Sequence, residues 1–287
     1  MLKRFKDRRK GGHLLAGLLT SYADRKDVVV LAIPPGGTLV GAAIAQELGC
    51  PLDVMVVRPL NAPQHNPWES EIVMGAIACG GVRVLDADAI TFSKVQPHEL
   101  ELVTDFELRE SNRLDRLYRD DLPFPELQDR CVILATDAIV NGWTMRAAIE
   151  AARAKGAARV VVAAPTGAAV TCDQVRAVAD EFVCLLETPD FCSLALWYDD
   201  PRNISDQEVR TLVAPHHLED HRAAMHTQSW PSFYERPVKC LKAQMCHADV
   251  EYTIRLHQNH CGGGRLRLSV RRCSALRNAS GSSLHCD

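Results

Sequence analysis

No run of about 18 apolar residues occurs anywhere in the 287-residue chain, which excludes a membrane-spanning helix of ordinary length. The first segment, Met1-Leu2-Lys3-Arg4-Phe5-Lys6-Asp7-Arg8-Arg9-Lys10, carries charge where a signal peptide would carry an apolar core, so the protein is expected in the cytoplasm, away from membranes. With 17 Gly and 15 Pro the chain has too few of either for a collagen-like or wholly disordered sequence, and no internal repeat is present. It also lacks strong net charge, −3 in all, but this small value hides an asymmetry. Residues 1–225 hold 24 Lys/Arg against 32 Asp/Glu, and residues 226–287 hold 9 against 4. No disulfide framework is apparent either: Cys50, Cys79, Cys131, Cys172, Cys184 and Cys192 sit mostly in or beside apolar runs, as buried reduced thiols do.

Short apolar runs recur at Val28–Ile33, Leu52–Val57, Val132–Ala135, Val160–Ala164 and Phe182–Leu186, several of them rich in β-branched residues, and read as buried parallel strands. Between them lie helix-compatible stretches at Thr38–Leu48, Glu99–Arg119, Thr144–Lys155 with Gly156 as a stop, and Thr171–Asp180. Alternating strand and helix predicts an α/β fold, a doubly wound, mostly parallel sheet with right-handed crossovers. Residues 61–90 break the alternation; Glu71–Ile77 and Val82–Leu85 are expected to pair as a small hairpin, a hood above the sheet's edge. The predicted organisation is one α/β domain over residues 1–225 and an irregular tail over 226–287. In that tail Cys240, Cys246, His247, His257, His260, Cys261 and Cys273 offer soft metal ligands, but their spacing matches no tight paired zinc pattern. The tail is basic, which leaves nucleic acid as well as zinc among its alternatives, but a disordered appendage is the expected reading, with neither as the expected partner.

Ligands of open α/β sheets bind beyond the carboxyl ends of the strands. Two loops there feed helices: Pro34-Pro35-Gly36-Gly37-Thr38 after the first strand, and Thr136-Asp137-Ala138-Ile139-Val140-Asn141-Gly142-Trp143-Thr144 after the third. Bare backbone N–H groups at a helix N-terminus suit a phosphate, although a strand, two glycines and a helix also make an ordinary tight turn.

The stretch Val132–Thr144 with Met145-Arg146-Ala147-Ala148-Ile149 resembles the phosphoribosyl-diphosphate (PRPP) motif of type I phosphoribosyltransferases, an apolar strand ending in two acidic residues and a Thr-Gly-x-Thr loop. Further blocks are similar to a bacterial branch of that family with unassigned substrate: Phe5-Lys6-Asp7-Arg8, Pro34–Gly37, Leu52–Arg58, Met74–Gly81 and Ala179–Leu185. The resemblance spans about residues 1–215. It implies displacement of pyrophosphate at the ribose C1′ carbon, with Mg²⁺ held by substrate oxygens, an unidentified nitrogenous acceptor and an association into homodimers. Carried onto this chain, it implies that Asp137 lies at the reacting ribose and acts as the catalytic residue. Thr136, Ala138, Ile139, Val140, Asn141, Gly142 and Thr144 would bind PRPP, while Pro35, Gly36, Gly37 and Arg58 would face the pyrophosphate. The motif is degenerate. Thr136 replaces the first acid, Asn141 the first Thr, Trp143 the small residue, Pro35 a common Arg and Pro59 a common Lys. These changes leave open a non-catalytic member of the fold, a phosphate or nucleotide sensor or a partner-binding protein. Outside the loops, Glu71 in the hood and Asp199 and Asp200 in the last loop are further candidates for facing a ligand.

Overall fold

The computed structural model describes residues 4–63, 72–189 and 191–215, and the backbone of 250–257 and 265–272. The chain begins with α1 (Arg8–Leu18), β1 (Val28–Ala32), α2 (Gly37–Leu48) and β2 (Leu52–Val54). It continues through β3 (Val57–Asn61), β4 (Val73–Ala78), β5 (Arg83–Leu85), α3 (Ala87–Ser93) and α4 (Pro97–Arg119). There follow β6 (Cys131–Ala135), α5 (Trp143–Ala154), β7 (Arg159–Ala168), α6 (Ala169–Arg176) and β8 (Glu181–Thr188), then a helical segment over 206–215. Among the described residues no helix is long and apolar enough to cross a membrane.

The central sheet has the order β2-β1-β6-β7-β8, all parallel. Alternation along the strands divides its core in two, because successive side chains point to opposite faces. Val28, Val30 and Ala32 of β1 pack with α1 and α2, and Val29, Leu31 and Ile33 pack with α5, α6 and hood residues Ala76 and Ala78. Both faces are covered, which is why β1 and β6 are apolar at every position and fully buried. The chain leaves β1 for one edge and later enters β6 on its other side. The strand order therefore reverses between β1 and β6, and a crevice opens at their carboxyl ends.

The expected strand Leu52–Val57 is two strands. β2 pairs with β1 as far as Val54, Met55 N–H still donates to Ala32 O (2.9 Å), and from Val57 the chain belongs to the hood. Apart from Asp53 the run is apolar, and it is buried on both sides of the changeover, so hydropathy carries no mark of it. The hood is an antiparallel sheet, β3-β4-β5, that starts at Val57 rather than 61. Pro59, lacking an N–H, is tolerated on edge strand β3. Where β4 meets β5, Gly75 has φ 149°, and a Cβ there would overlap Val84 O and lie 2.9 Å from Leu85 Cα. Gly75→Ala is therefore expected to destabilise the protein by about 1–3 kcal/mol, read from urea unfolding. An unchanged midpoint would show that the hood accepts the methyl group.

Residues 1–228 and 229–287 form separate compact units. In the second, β9 (Val250–His257) and β10 (Arg265–Arg272) pair antiparallel, from Val250 opposite Arg272 to His257 opposite Arg265. The tail expected to be irregular therefore includes two regular strands, in which Val250, Tyr252, Ile254 and Leu256, like Leu266, Leu268 and Val270, alternate with polar residues. Cys240, Cys246, His247, His260, Cys261 and Cys273 lie outside the described residues, as does Glu71.

Candidate functional site

The crevice at the strand reversal is a cleft of about 430 Å³. Its floor is the loop Thr136–Gly142 with Thr144 and Met145, one wall is Ile33–Gly36, a second is Val57–Pro59 of the hood, and Leu194, Asn203 and Ile204 close the far side. A wider trough of about 620 Å³ runs along α4 past Arg109, Arg113 and Asp120, on a helix surface and not at strand ends.

The loop after β6 is built from both sides. Ile139 N–H donates to Thr166 O (3.0 Å) and Ala168 N–H donates to Ile139 O (2.8 Å), a bridge that stitches the loop to the end of β7. From α6 the Thr171 hydroxyl donates to Val140 O (2.9 Å). Gly142, at φ 74°, makes the left-handed turn into α5, where a Cβ would meet Thr171 Cγ2 at 2.8 Å. Asn141 Oδ1 accepts from Trp143 N–H (3.3 Å) and so caps the first turn of α5. The amides of Ala138, Val140, Asn141, Gly142 and Thr144 have no acceptor among the described residues, and the Thr144 hydroxyl makes no side-chain hydrogen bond. Unsatisfied N–H groups around a helix N-terminus form an anion cradle.

Asp137 is the sole carboxylate lining the cleft among the described residues, and it is paired. Its Oδ2 accepts from Arg8 Nε at 2.8 Å; the Arg8 side chain is only 5% exposed and that of Asp137 19%. Arg8 also donates to Arg202 O (2.9 Å) and lies over the Tyr198 ring. The Tyr198 hydroxyl donates to Asp137 O (2.7 Å), and burial, followed by the nearby Asp137 charge, raises its pKa so that it stays protonated as a donor. Arg8 reaches the cleft because the first residues add to the last loop: Phe5 N–H donates to Trp197 O (2.8 Å) and Asp199 N–H to Phe5 O (2.9 Å). Asp7 then caps α1 by accepting from Lys10 N–H (2.7 Å).

The structure modifies several expectations. The Thr136 hydroxyl turns back to Ala138 O (3.2 Å) and stiffens the loop from within. Pro35 and Gly36 line the cleft, and the Pro34–Pro35 bond is cis. Gly37 does not line it: as the first residue of α2 it packs on the backbone of Ala135 and Thr136, where a Cβ would sit 2.7 Å from Ala135 O. Arg58 lines the cleft from β3, not from the end of β2, and pairs with Glu107 of α4 at 2.8 Å. Trp143 packs against the α5 side of the core with the Arg146 guanidinium 4.7 Å over its ring. Asp199 and Asp200 face Arg4 and Arg202 and are not among the lining residues. Sequence reasoning missed Arg8 as a site residue; its signal was the block Phe5–Arg8, whose partner Asp137 lies 129 positions away.

Residues 3–192 match the family model of the phosphoribosyl transferase domain. Proteins of two Mycobacterium tuberculosis strains, each named "Putative phosphoribosyl transferase", are 35% identical over 208 residues, 72% of this chain. The chain spans 46% of the length of these curated relatives. The crystal structure of TT1426 from Thermus thermophilus superposes with a TM-score of 0.61 at 31% identity, over 74% of this chain and 99% of that one. With the matching fold and the helix-terminal loop at the strand reversal, these similarities establish that the chain belongs to the phosphoribosyl transferase domain family.

Proposed function

We propose that the cleft binds PRPP as its Mg²⁺ chelate and transfers the phosphoribosyl group to a nitrogenous acceptor. The observation that carries this reading is the set of free amides of Ala138, Val140, Asn141, Gly142 and Thr144 at the start of α5, a seat for the ribose 5′-phosphate. The Thr144 hydroxyl would add one neutral contact. Asp137, oriented by Arg8 and Tyr198, would meet the ribose and stabilise the positive charge that develops at C1′ as the bond to pyrophosphate breaks and the acceptor nitrogen approaches. Arg8 supplies a cation beside Pro35, where the family pattern has one in the loop itself. Mg²⁺ would arrive on substrate oxygens, because the protein offers no second carboxylate in the cleft among the described residues. Positioning and electrostatics supply the catalysis.

Titration calorimetry of PRPP with Mg²⁺ into the full chain tests the site. Asp137→Asn and Thr144→Ala are each expected to weaken binding about 10-fold or more, since a lost hydrogen bond to a charged group is worth roughly 1.5–3 kcal/mol. Wild-type affinity in both variants would overturn the assignment. The engagement of Asp137 by Arg8 also favours a second reading, a non-catalytic binder of phosphorylated ribose. That reading predicts PRPP binding with no pyrophosphate release when purine, pyrimidine and simple amine acceptors are added.

A further inference from the structure

We propose that Cys172, Cys184 and Glu187, between α6 and β8, form a site for a thiophilic divalent cation of the zinc type. The two sulfurs and a carboxylate oxygen all lie within 4.8 Å of one another, the one such group of three possible ligands among the described residues. Tetrahedral zinc with Zn–S near 2.3 Å needs ligand atoms roughly 3.8 Å apart, so a small inward movement closes the triangle.

The fold brings these residues together from two elements. Cys172 lies in the first turns of α6 and is fully buried; Cys184 and Glu187 lie on β8, which runs parallel to β7 with Cys184 opposite Ala164 and Glu187 opposite Gly167. Gly167 makes the room: a Cβ there would be 2.5 Å from the Cys172 sulfur. Cys184 is half-buried and Glu187 exposed, so the triangle has a buried corner and an open side through which an ion can enter and keep a water as fourth ligand. Arg176, one turn along α6, pairs with Glu187 and holds its carboxylate in position.

Two sulfurs decide the class of ion. Mg²⁺ and Ca²⁺ take oxygen ligands, whereas thiolates select zinc-type ions. The Cys184 thiol donates to Leu186 O (3.6 Å). A cation displaces both thiol protons to solvent, forming two metal–sulfur bonds and one metal–oxygen bond without any redox change.

Cobalt(II) is the probe, added to the reduced, metal-stripped full chain. The tail holds five further cysteines, so the readout is the difference between wild type and variants. Cys172→Ser and Cys184→Ser are each expected to lose one equivalent of cobalt together with its thiolate charge-transfer band. Glu187→Gln, at an exposed side chain, is expected to keep the band with affinity at least about 10-fold weaker. Equal cobalt stoichiometry and spectra in wild type and folded Cys172→Ser would overturn the proposal. If the serine variants do not fold, unchanged affinity in Glu187→Gln overturns it.

Discussion

Arg119→Met is expected to destabilise the α/β unit by about 3–5 kcal/mol, the cost of removing one partner from a buried ion pair. Arg119 ends α4 and is fully buried. Its Nε donates to Asp53 Oδ1 at 3.0 Å, its other nitrogens donate to Asp115 and to Val54 O, and its guanidinium lies 4.4 Å over the Phe124 ring. Methionine keeps the apolar stem but leaves Asp53 and Asp115 without these contacts, in a protein whose whole stability is on the order of 5–15 kcal/mol. Urea unfolding with and without Asp53→Leu separates charge from packing. The double variant is expected to recover part of the loss, because a well-packed apolar pair can replace a buried salt bridge. A single variant within about 1 kcal/mol of wild type would show that the network contributes little. The network holds β2 just before the chain turns into the hood strand carrying Arg58, so it also sets one wall of the cleft.

Gly36→Ala is expected to leave the protein folded and to lower PRPP affinity about 100-fold, or roughly 2.7 kcal/mol. The φ of Gly36 is an ordinary −67°, so its requirement is for space and not for backbone freedom. A Cβ at this position would overlap the Asp137 carboxylate and lie 2.9 Å from Arg8 Nε. The methyl group must expel the Asp137 side chain and break its 2.8 Å bond to Arg8. Calorimetry beside a thermal melt distinguishes the outcomes: normal affinity would mean that Asp137 moves aside freely and has no part in binding, whatever the melting temperature does.

The central sheet was legible because a strand buried on both faces must be apolar at nearly every position, and β1, β6 and the start of β7 are. α2 and α5 were legible for a related reason: Gly49, at φ 62°, ends the first, and Gly156, at φ 83°, follows the last turn of the second. α1 was not. Its sequence, with Gly11, Gly12 and Gly17, has poor helix propensity, and the helix persists because Gly12 lets it approach α2 so closely that a Cβ would meet Val40 O at 2.6 Å. Local pattern carries no record of a contact made 28 residues away.

The same division runs through the site. By itself the amino-acid sequence determined which loops line the cleft, since a strand, a glycine-bearing turn and a helix start are local features set by backbone preference and hydropathy. Only the tertiary structure decided what the side chains in those loops do. It tied Asp137 to Arg8, turned Thr136 onto its own loop, gave Arg58 to Glu107 and confined Gly37 against β6. Charge pairing acts over a few ångströms of space and not along the chain, so the partner of a charged residue belongs to the fold.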